Sequence, residues 1–243
     1  MRRAPSPYGS TFSFGPGPLS LALKAIIGAN ALLFIVQFFV PRTTEVLGLV
    51  PYRVMHGAQI WRLGSYMFLH ASVVHVAVNM LTLWMFGTEL ERVWGTRYFL
   101  KFYFATGIGA GVLTVLIALL PFGFAQEIYW TATIGASGAI FGLLLAYGLY
   151  YPDRPIYLYF VFPIPARYFV LILGAILLFA GGGIAHATHL GGVVIAYAML
   201  KSPRIHPLSE LKYRYLKWKI NRVRRKFDVY SGGRADDWDR RVH

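Results

Sequence analysis

The stretch YFLKFYFATGIGAGVLTVLIALL, residues 98–120, is a nearly unbroken run of apolar residues that contains a single charge, Lys101. A helix that crosses the hydrocarbon core of a bilayer needs about 20 such residues. Residues 19–40 and 166–180 form similar runs with few charges. A soluble domain does not need several such runs to build its core. The sequence therefore predicts an integral membrane protein.

The composition of the whole chain favours the same class of protein. Mean hydropathy is +0.51 and 56% of the residues are hydrophobic, whereas soluble domains contain about 45–50% apolar residues. The predicted fold class is an all-α, polytopic membrane protein, a bundle of six transmembrane helices between a flexible N-terminal tail and a basic C-terminal tail. The expected spans are residues 19–40, 73–91, 98–120, 137–151, 166–181 and 184–200; the expected domains are 1–18, 19–201 and 202–243.

The distribution of positive charge predicts the orientation of these spans. Segments on one side of the predicted bundle hold 21 of the 24 Lys and Arg residues, and segments on the other side hold 3. Positive charge favours the cytoplasmic face, so both termini are expected to be cytoplasmic, with an even number of spans between them.

Residues 207–226 of the basic tail either form an amphipathic helix on anionic lipid or stay solvated, and the second interpretation is slightly favoured. Nucleic-acid binding is not expected. The absence of cysteine excludes disulfides and thiolate chemistry.

A few polar residues interrupt the predicted spans, and such residues mark functional sites because they are costly in hydrocarbon. At a rise of 1.5 Å per residue, Ser137 lies about 21 Å above the inner end of its span, Asn79 about 20 Å and His189 about 18 Å, with His75 one turn higher than Asn79. Four polar side chains from three helices therefore converge about 10 Å below the outer edge of a core ~30 Å thick. Residues 126–136 are then expected to enter the bilayer as non-helical backbone lining a water-filled cavity.

Ser137 and His189 are residue types that can perform nucleophilic catalysis. Ser137 lies between Gly135 and Gly138 at a predicted helix N-terminus, where free backbone N–H groups can stabilise an oxyanion. His189 can accept the serine proton. Since no carboxylate lies at this depth, the sequence predicts a Ser–His dyad without an acid. The alternative is structural: an N-cap serine and a histidine bonded to another helix.

His75 and Asn79 are four residues apart and therefore share one helix face. Their N–H groups can join the backbone N–H of Ser137 in an oxyanion hole. Gly192 lies one turn after His189, and Gly138 begins a ridge of small residues on the neighbouring span. Small residues let membrane helices approach closely, so we expect this packing to bring the dyad together.

Several motifs, in this order and spacing, resemble the rhomboid intramembrane serine proteases over about residues 20–200. The resemblance implies a six-helix rhomboid fold that cleaves single-span membrane proteins near their outer ends. The motifs are Trp61-Arg62, His70-Ala71-Ser72-Val73-Val74-His75-Val76-Ala77-Val78-Asn79, Gly135-Ala136-Ser137-Gly138 and Ala185-His186-Ala187-Thr188-His189-Leu190-Gly191-Gly192.

By this resemblance Ser137 is the nucleophile, His189 the general base, and His75 and Asn79 oxyanion groups. Phe141 occupies a position where the family often has a tyrosine that stacks on the base. Structural roles are implied for Trp61, Arg62, Glu91 and Gly95, and supporting roles for Gly135, Gly138 and Gly192. No cofactor and no metal are expected. The implied partners are transmembrane substrates and the lipid bilayer, and the expected location is the bacterial inner membrane.

Three other functions remain as alternatives. His186 and His189, with His70 or His75, could bind a metal, although there is no HExxH motif and no intramembrane carboxylate. A catalytically inactive rhomboid-like binder or chaperone would be expected to lose the serine or the histidine, and both are retained. A transporter would normally show midplane charges or inverted repeats.

Overall fold

The computed structural model describes residues 17–158, 162–180 and 182–201. The chain divides into the units Met1–Lys201 and Ser202–His243. The second unit lies outside the described residues, and with it the predicted basic tail. The elements are α1 (Leu21–Phe39), α2 (Arg42–Leu47), α3 (Pro51–Gly57), α4 (Arg62–Ser65), a 3₁₀ turn (Tyr66–Phe68), α5 (Val73–Thr82), a π turn (Leu83–Gly87), α6 (Thr88–Trp94), α7 (Thr96–Ala118), α8 (Gly123–Trp130), α9 (Ser137–Tyr150), β1 (Pro155–Leu158), β2 (Phe162–Pro165), α10 (Ala166–Ala180) and α11 (Gly182–Lys201).

Among the described residues, three helices are long and apolar enough to cross a membrane: Leu21–Phe39, Val73–Trp94 and Thr96–Ala118. The second of these consists of α5 and α6 joined by the short π-helix Leu83–Gly87. Shorter apolar helices begin at Ser137 and Ala166. Each predicted span coincides with a helix, and a crossing by all six remains a prediction. Several apolar side chains of α1 are exposed, including Leu32 at 61% and Phe38 at 78%, as expected of a lipid-facing helix.

Local sequence sets where the helices begin and end. The hydroxyl of Ser20 accepts a hydrogen bond from the backbone N–H of Leu23 (3.1 Å) at the start of α1, and Ser72 caps α5 in the same way. Side-chain caps of this kind satisfy the free N–H groups of a first turn. Pro41 follows α1, where it cannot continue the helix.

The interior is formed by α7, α9 and α11, which pack against one another. Small residues let these helices approach. A Cβ atom added at Gly192 would collide with the carbonyl oxygen of Gly138, and one added at Gly191 would lie 3.1 Å from the Cα atom of Ala110. The buried face of α7 repeats every three to four residues, as a helix requires: Phe99, Phe102, Tyr103, Thr106, Gly107, Ala110, Gly111, Thr114, Val115 and Ala118.

The segment between α1 and α5 is ordered around a buried cation. Arg62 is 1% exposed, and its guanidinium donates to the carbonyl oxygens of Gly48 and Glu45 (2.7 Å for Glu45) and to the side chain of Gln59 (2.6 Å). A buried guanidinium is tolerated when its donors are satisfied in this way.

The structure differs from the sequence-based expectations in two places. Residues 126–136 were expected to be non-helical, but residues up to Trp130 belong to α8, and only 131–136 lack helical structure. In an otherwise all-α prediction, β1 and β2 form an unpredicted antiparallel pair between α9 and α10, with Ile156 opposite Ile164.

The packing at Gly192 predicts a specific sensitivity to substitution. Gly192→Ala should lower the free energy of unfolding by about 1–3 kcal/mol. The added methyl group would collide with backbone atoms of Gly138, which cannot move aside by a change of rotamer. Gly28→Ala is the matched control, since a Cβ atom there meets nothing within 4 Å, and it should change stability by less than about 1 kcal/mol. Thermal unfolding in detergent measures both variants. Equal unfolding midpoints would contradict this packing.

Candidate functional site

Ser137 is the first residue of α9 and follows a short non-helical segment that is held in place by backbone hydrogen bonds. Thr133 exchanges two such bonds with Leu49 (2.8 and 3.0 Å), and the N–H of Gly135 donates to the carbonyl oxygen of Tyr66 (2.9 Å). Gly135 has φ +128°, a conformation that favours glycine. The chain therefore enters α9 along a fixed path that sets the position of the Ser137 hydroxyl.

The side chains of Ser137 and His189 are in direct contact. Ser137 Oγ and His189 Nε2 lie 2.8 Å apart. His189 is 4% exposed, and its ring stacks on Phe141, with centroids 4.4 Å apart and planes at 12°. Ser137 and Phe141 both belong to α9, so the close packing of α9 on α11 also fixes the geometry of this pair.

The direction of the hydrogen bond sets the tautomer of His189. When the serine hydroxyl donates, Nε2 must be unprotonated, and the ring proton of a neutral imidazole then lies on Nδ1. Nδ1 is buried and makes no hydrogen bond to any described residue, and the same holds for Nε2 of His186. The orientation of the His189 ring therefore depends on Ser137, on Phe141 and on the backbone of α11.

His75 points its Nε2 edge at the segment before Ser137. The backbone N–H of Ala71 donates to Nδ1 of His75 (3.3 Å), which places the proton of a neutral ring on Nε2. A Cβ atom added at Gly135 would lie 3.0 Å from that nitrogen. Nε2 of His75 is therefore an N–H donor beside the backbone of Gly135.

Asn79 lies one turn further along α5 and is 4% exposed. Its amide nitrogen donates to the carbonyl oxygen of His75 (3.1 Å), which uses one of its two protons and leaves the second available.

His70 lies outside the helices and contacts His75 edge to face, with ring centroids 4.9 Å apart. Burial, with His75 as a smaller cause, lowers the pKa of His70 to about 3. His70 is therefore uncharged near neutral pH and places no positive charge beside His75.

A cavity of about 620 Å³ lies beside the Ser137–His189 pair. The predicted site residues Ser137, His189, His75 and Asn79 all line it, whereas Gly138 and Gly192 form the helix contact behind it. The lining residues come from four helices (α5, α9, α10 and α11) and from the segments that precede α5 and α9: Ala71, Ser72, Val74, His75, Val78, Asn79, Ala132, Thr133, Ile134, Ser137, Ile176, Ala185 and His189.

Tyr66 is a residue at this site that the sequence analysis did not identify. It is completely buried; its carbonyl oxygen binds the N–H of Gly135, and its hydroxyl donates to the carbonyl oxygen of Gly107 (2.7 Å). The hydroxyl would also lie 3.3 Å from a Cβ atom added at Gly138. Tyr66 thus supports the backbone on both sides of Ser137. No local sequence pattern indicates this, because both of its partners are distant backbone atoms.

The metal-site alternative needs a cluster of ligands. Among the described residues, no group of three or more His, Asp or Glu side chains is placed to hold an ion.

Comparison with known proteins identifies the family of this chain. The family model for the rhomboid domain matches residues 57–202. The chain is 27% identical over 202 residues to Rhomboid protease GlpG of Yersinia pestis (79% of this chain, 65% of the relative). It is 31% identical over 141 residues to RHOMBOID-like protein 12, mitochondrial, of Arabidopsis thaliana (53% and 42%). It is 38% identical over 84 residues to Rhomboid protease GluP of Bacillus subtilis (35% and 14%).

The fold and the site thus define a class of protein: a helical membrane bundle with a part-buried serine–histidine pair. The chain belongs to the rhomboid family and is an integral membrane protein. It spans less than half the length of several curated relatives that it matches. Because these relatives include mitochondrial proteins of a plant and a yeast, the comparisons do not support the bacterial inner membrane as the specific location.

Proposed function

We propose that this protein is an intramembrane serine endopeptidase that hydrolyses peptide bonds of single-span membrane proteins near the outer side of the bilayer. The observation that carries the proposal is the 2.8 Å separation of Ser137 Oγ and His189 Nε2. Two matched relatives are named rhomboid proteases, which supports the same reaction class.

In the proposed reaction His189 takes the proton from Ser137 as the hydroxyl oxygen attacks the carbonyl carbon of the scissile bond. The tetrahedral intermediate collapses when His189 returns the proton to the leaving amine. Water, activated by His189, then attacks the acyl group on Ser137, and the serine and the second peptide fragment are released. Without a carboxylate partner, the ring of His189 is oriented by stacking on Phe141.

The oxyanion of the tetrahedral intermediate needs hydrogen-bond donors close to the Ser137 hydroxyl. We assign this role to the backbone N–H of Ser137, to Nε2 of His75 and to the amide of Asn79. The assignment is supported by the hydrogen bond from Ala71 to Nδ1 of His75, which directs the ring proton to Nε2. Donors that are already oriented need no rearrangement as charge develops.

The substrate must reach this cavity from the lipid. Val74 and Val78 of α5 and Ile176 of α10 line the cavity, so we place substrate entry between α5 and α10. A transmembrane segment has to unwind before its carbonyl carbon reaches Ser137, and exposed backbone groups are tolerated only where a cavity or water satisfies them. Substrates should therefore carry helix-weakening residues near the cleavage point.

The finer predictions on the membrane also belong to this proposal. With all six spans crossing the bilayer, both termini lie in the cytoplasm. Residues 207–226 of the basic tail are proposed to stay solvated, with contact to anionic lipid as the alternative. The alternative, an inactive rhomboid-like binder, makes the opposite prediction in the assay below, since it binds membrane helices without cutting them.

Removing either member of the pair should abolish proteolysis. In liposomes with a panel of single-span substrates, Ser137→Ala and His189→Ala should each lower turnover by at least about 10³-fold, and the double variant should be little worse, because the two residues act as one unit. Mass spectrometry of the products should place the cut near the outer end of the substrate span.

His56→Ala is the matched control, because His56 is exposed and lies outside the cavity, and it should retain wild-type turnover. Thermal unfolding checks that each variant is folded. Full activity in Ser137→Ala would exclude the serine mechanism, and a wild-type protein that binds but never cuts substrate would favour the inactive binder.

Removing an oxyanion donor should slow the reaction without abolishing it. His75→Ala and Asn79→Ala should each lower kcat by up to about 10²-fold, since one oxyanion donor contributes on this scale in a water-soluble serine protease and other donors remain here. KM should change less than kcat. An unchanged kcat in the double variant, measured beside His56→Ala, would remove both residues from the oxyanion hole.

A further inference from the structure

Two buried threonines join α7 to α11 directly behind the Ser137–His189 pair. Oγ1 of Thr114 and Oγ1 of Thr188 lie 2.7 Å apart, and the two residues are 0% and 1% exposed. Thr188 immediately precedes His189 in α11. The hydrogen bond therefore ties the backbone that carries the imidazole to a neighbouring helix.

The donors in this pair can be assigned. Thr114 Oγ1 also lies 2.8 Å from the carbonyl oxygen of Ala110, which can only accept. A hydroxyl has one proton, so Thr114 donates to Ala110 and Thr188 donates to Thr114. Both hydroxyl protons are used, and the two hydrogen bonds therefore run in one direction, from Thr188 on α11 to Thr114 and then to Ala110 on α7.

Thr188 also touches the helix that carries the serine. A Cβ atom added at Gly138 would lie 3.2 Å from the Cγ2 methyl group of Thr188. Thr188 thus has its methyl group beside the residue that follows Ser137, its hydroxyl on α7 and its backbone next to His189. A shift of α11 along or around its axis would break the hydroxyl contact and move the imidazole away from Ser137.

The other buried threonines in the described part of the chain do not connect helices in this way. Thr106 of α7 is 0% exposed, and its hydroxyl lies within hydrogen-bond distance of the carbonyl oxygens of Phe102 and Tyr103, both in its own helix. Thr82 likewise donates to Val78 within α5. The hydroxyl of Thr188 is different because its partner lies on another helix.

We propose that Thr188 and Thr114 are positioning residues, which act through their shared hydrogen bond to hold the His189 imidazole against Ser137. The need for such a hydrogen bond follows from the site, because Nδ1 of His189 has no partner among the described residues and the ring cannot be oriented from that side. The inference rests on the proposed proteolysis and concerns the geometry of the same site. Neither threonine lines the cavity, so the hydrogen bond acts on turnover and not on substrate binding.

The test replaces the hydroxyl but keeps the shape of the side chain. Thr188→Val should lower kcat about tenfold with KM within about twofold of wild type, because small displacements of reacting groups cost this much or more. Thr114→Val should give a similar loss, and the double variant should resemble either single variant, since all three remove the same hydrogen bond between α7 and α11. Thr188→Ser, which keeps the hydroxyl, should restore most of the turnover. Thr106→Val is the matched control on α7 and should leave kcat unchanged.

Turnover is measured on a cleavable single-span substrate, with thermal unfolding recorded for every variant. A lowered unfolding midpoint with unchanged kcat would overturn the proposal, because the hydrogen bond would then be only structural. An equal loss of kcat in Thr106→Val, or a failure of Thr188→Ser to recover turnover, would also overturn it. If Thr188→Val does not fold, Thr114→Val and Thr188→Ser decide the question. Failure of the proposed function itself looks different, since the wild-type protein would then show no Ser137-dependent cleavage.

Discussion

The rest of the structure depends on the backbone contact between α9 and α11 at Gly138 and Gly192. A side chain at Gly192 would collide with the carbonyl oxygen of Gly138, so these helices meet at a distance that only glycine allows. The contact lies next to Ser137 and one turn from His189. In lipid, helices associate largely through such close packing and through interhelical hydrogen bonds, because hydrocarbon gives no hydrophobic driving force between them. The same contact therefore supports both the bundle and the proposed reaction.

The site is supported on its other sides by residues from several parts of the chain. Tyr66 binds the backbone of Gly135 from the segment before α5. Buried Arg62 orders the residues that precede Leu49, which pairs with Thr133 ahead of Ser137. Groups that must react without rearrangement benefit from support of this kind, since preorganised donors and fixed geometry lower the barrier. Val78 of α5 and Ile176 of α10 also line the cavity, and the proposed substrate entry lies between these two helices.

The sequence predicted more of the site than of the loops, for physical reasons. Polar residues are rare in a membrane span, so His75, Asn79, Ser137 and His189 were visible as exceptions, and the structure places all four around one cavity. In contrast, the hydrogen bonds of Tyr66 are made to backbone atoms far away in the chain. Strands β1 and β2 are four residues each, too short to give a clear periodic pattern. Thr188 stood within a recognised motif, but its partner on α7 could not be known before the helices were packed.

The most direct test of Ser137 as the reactive hydroxyl is covalent labelling of the folded protein with a fluorophosphonate, followed by mass spectrometry of the peptides. A serine activated by a neighbouring imidazole reacts with such a reagent, and an unactivated helix-capping serine does not. We expect a single adduct, on Ser137, whose formation is lost in His189→Ala and retained in His56→Ala. Labelling at another residue, or equal labelling of Ser137 after His189 has been replaced, would contradict the proposed serine–histidine chemistry.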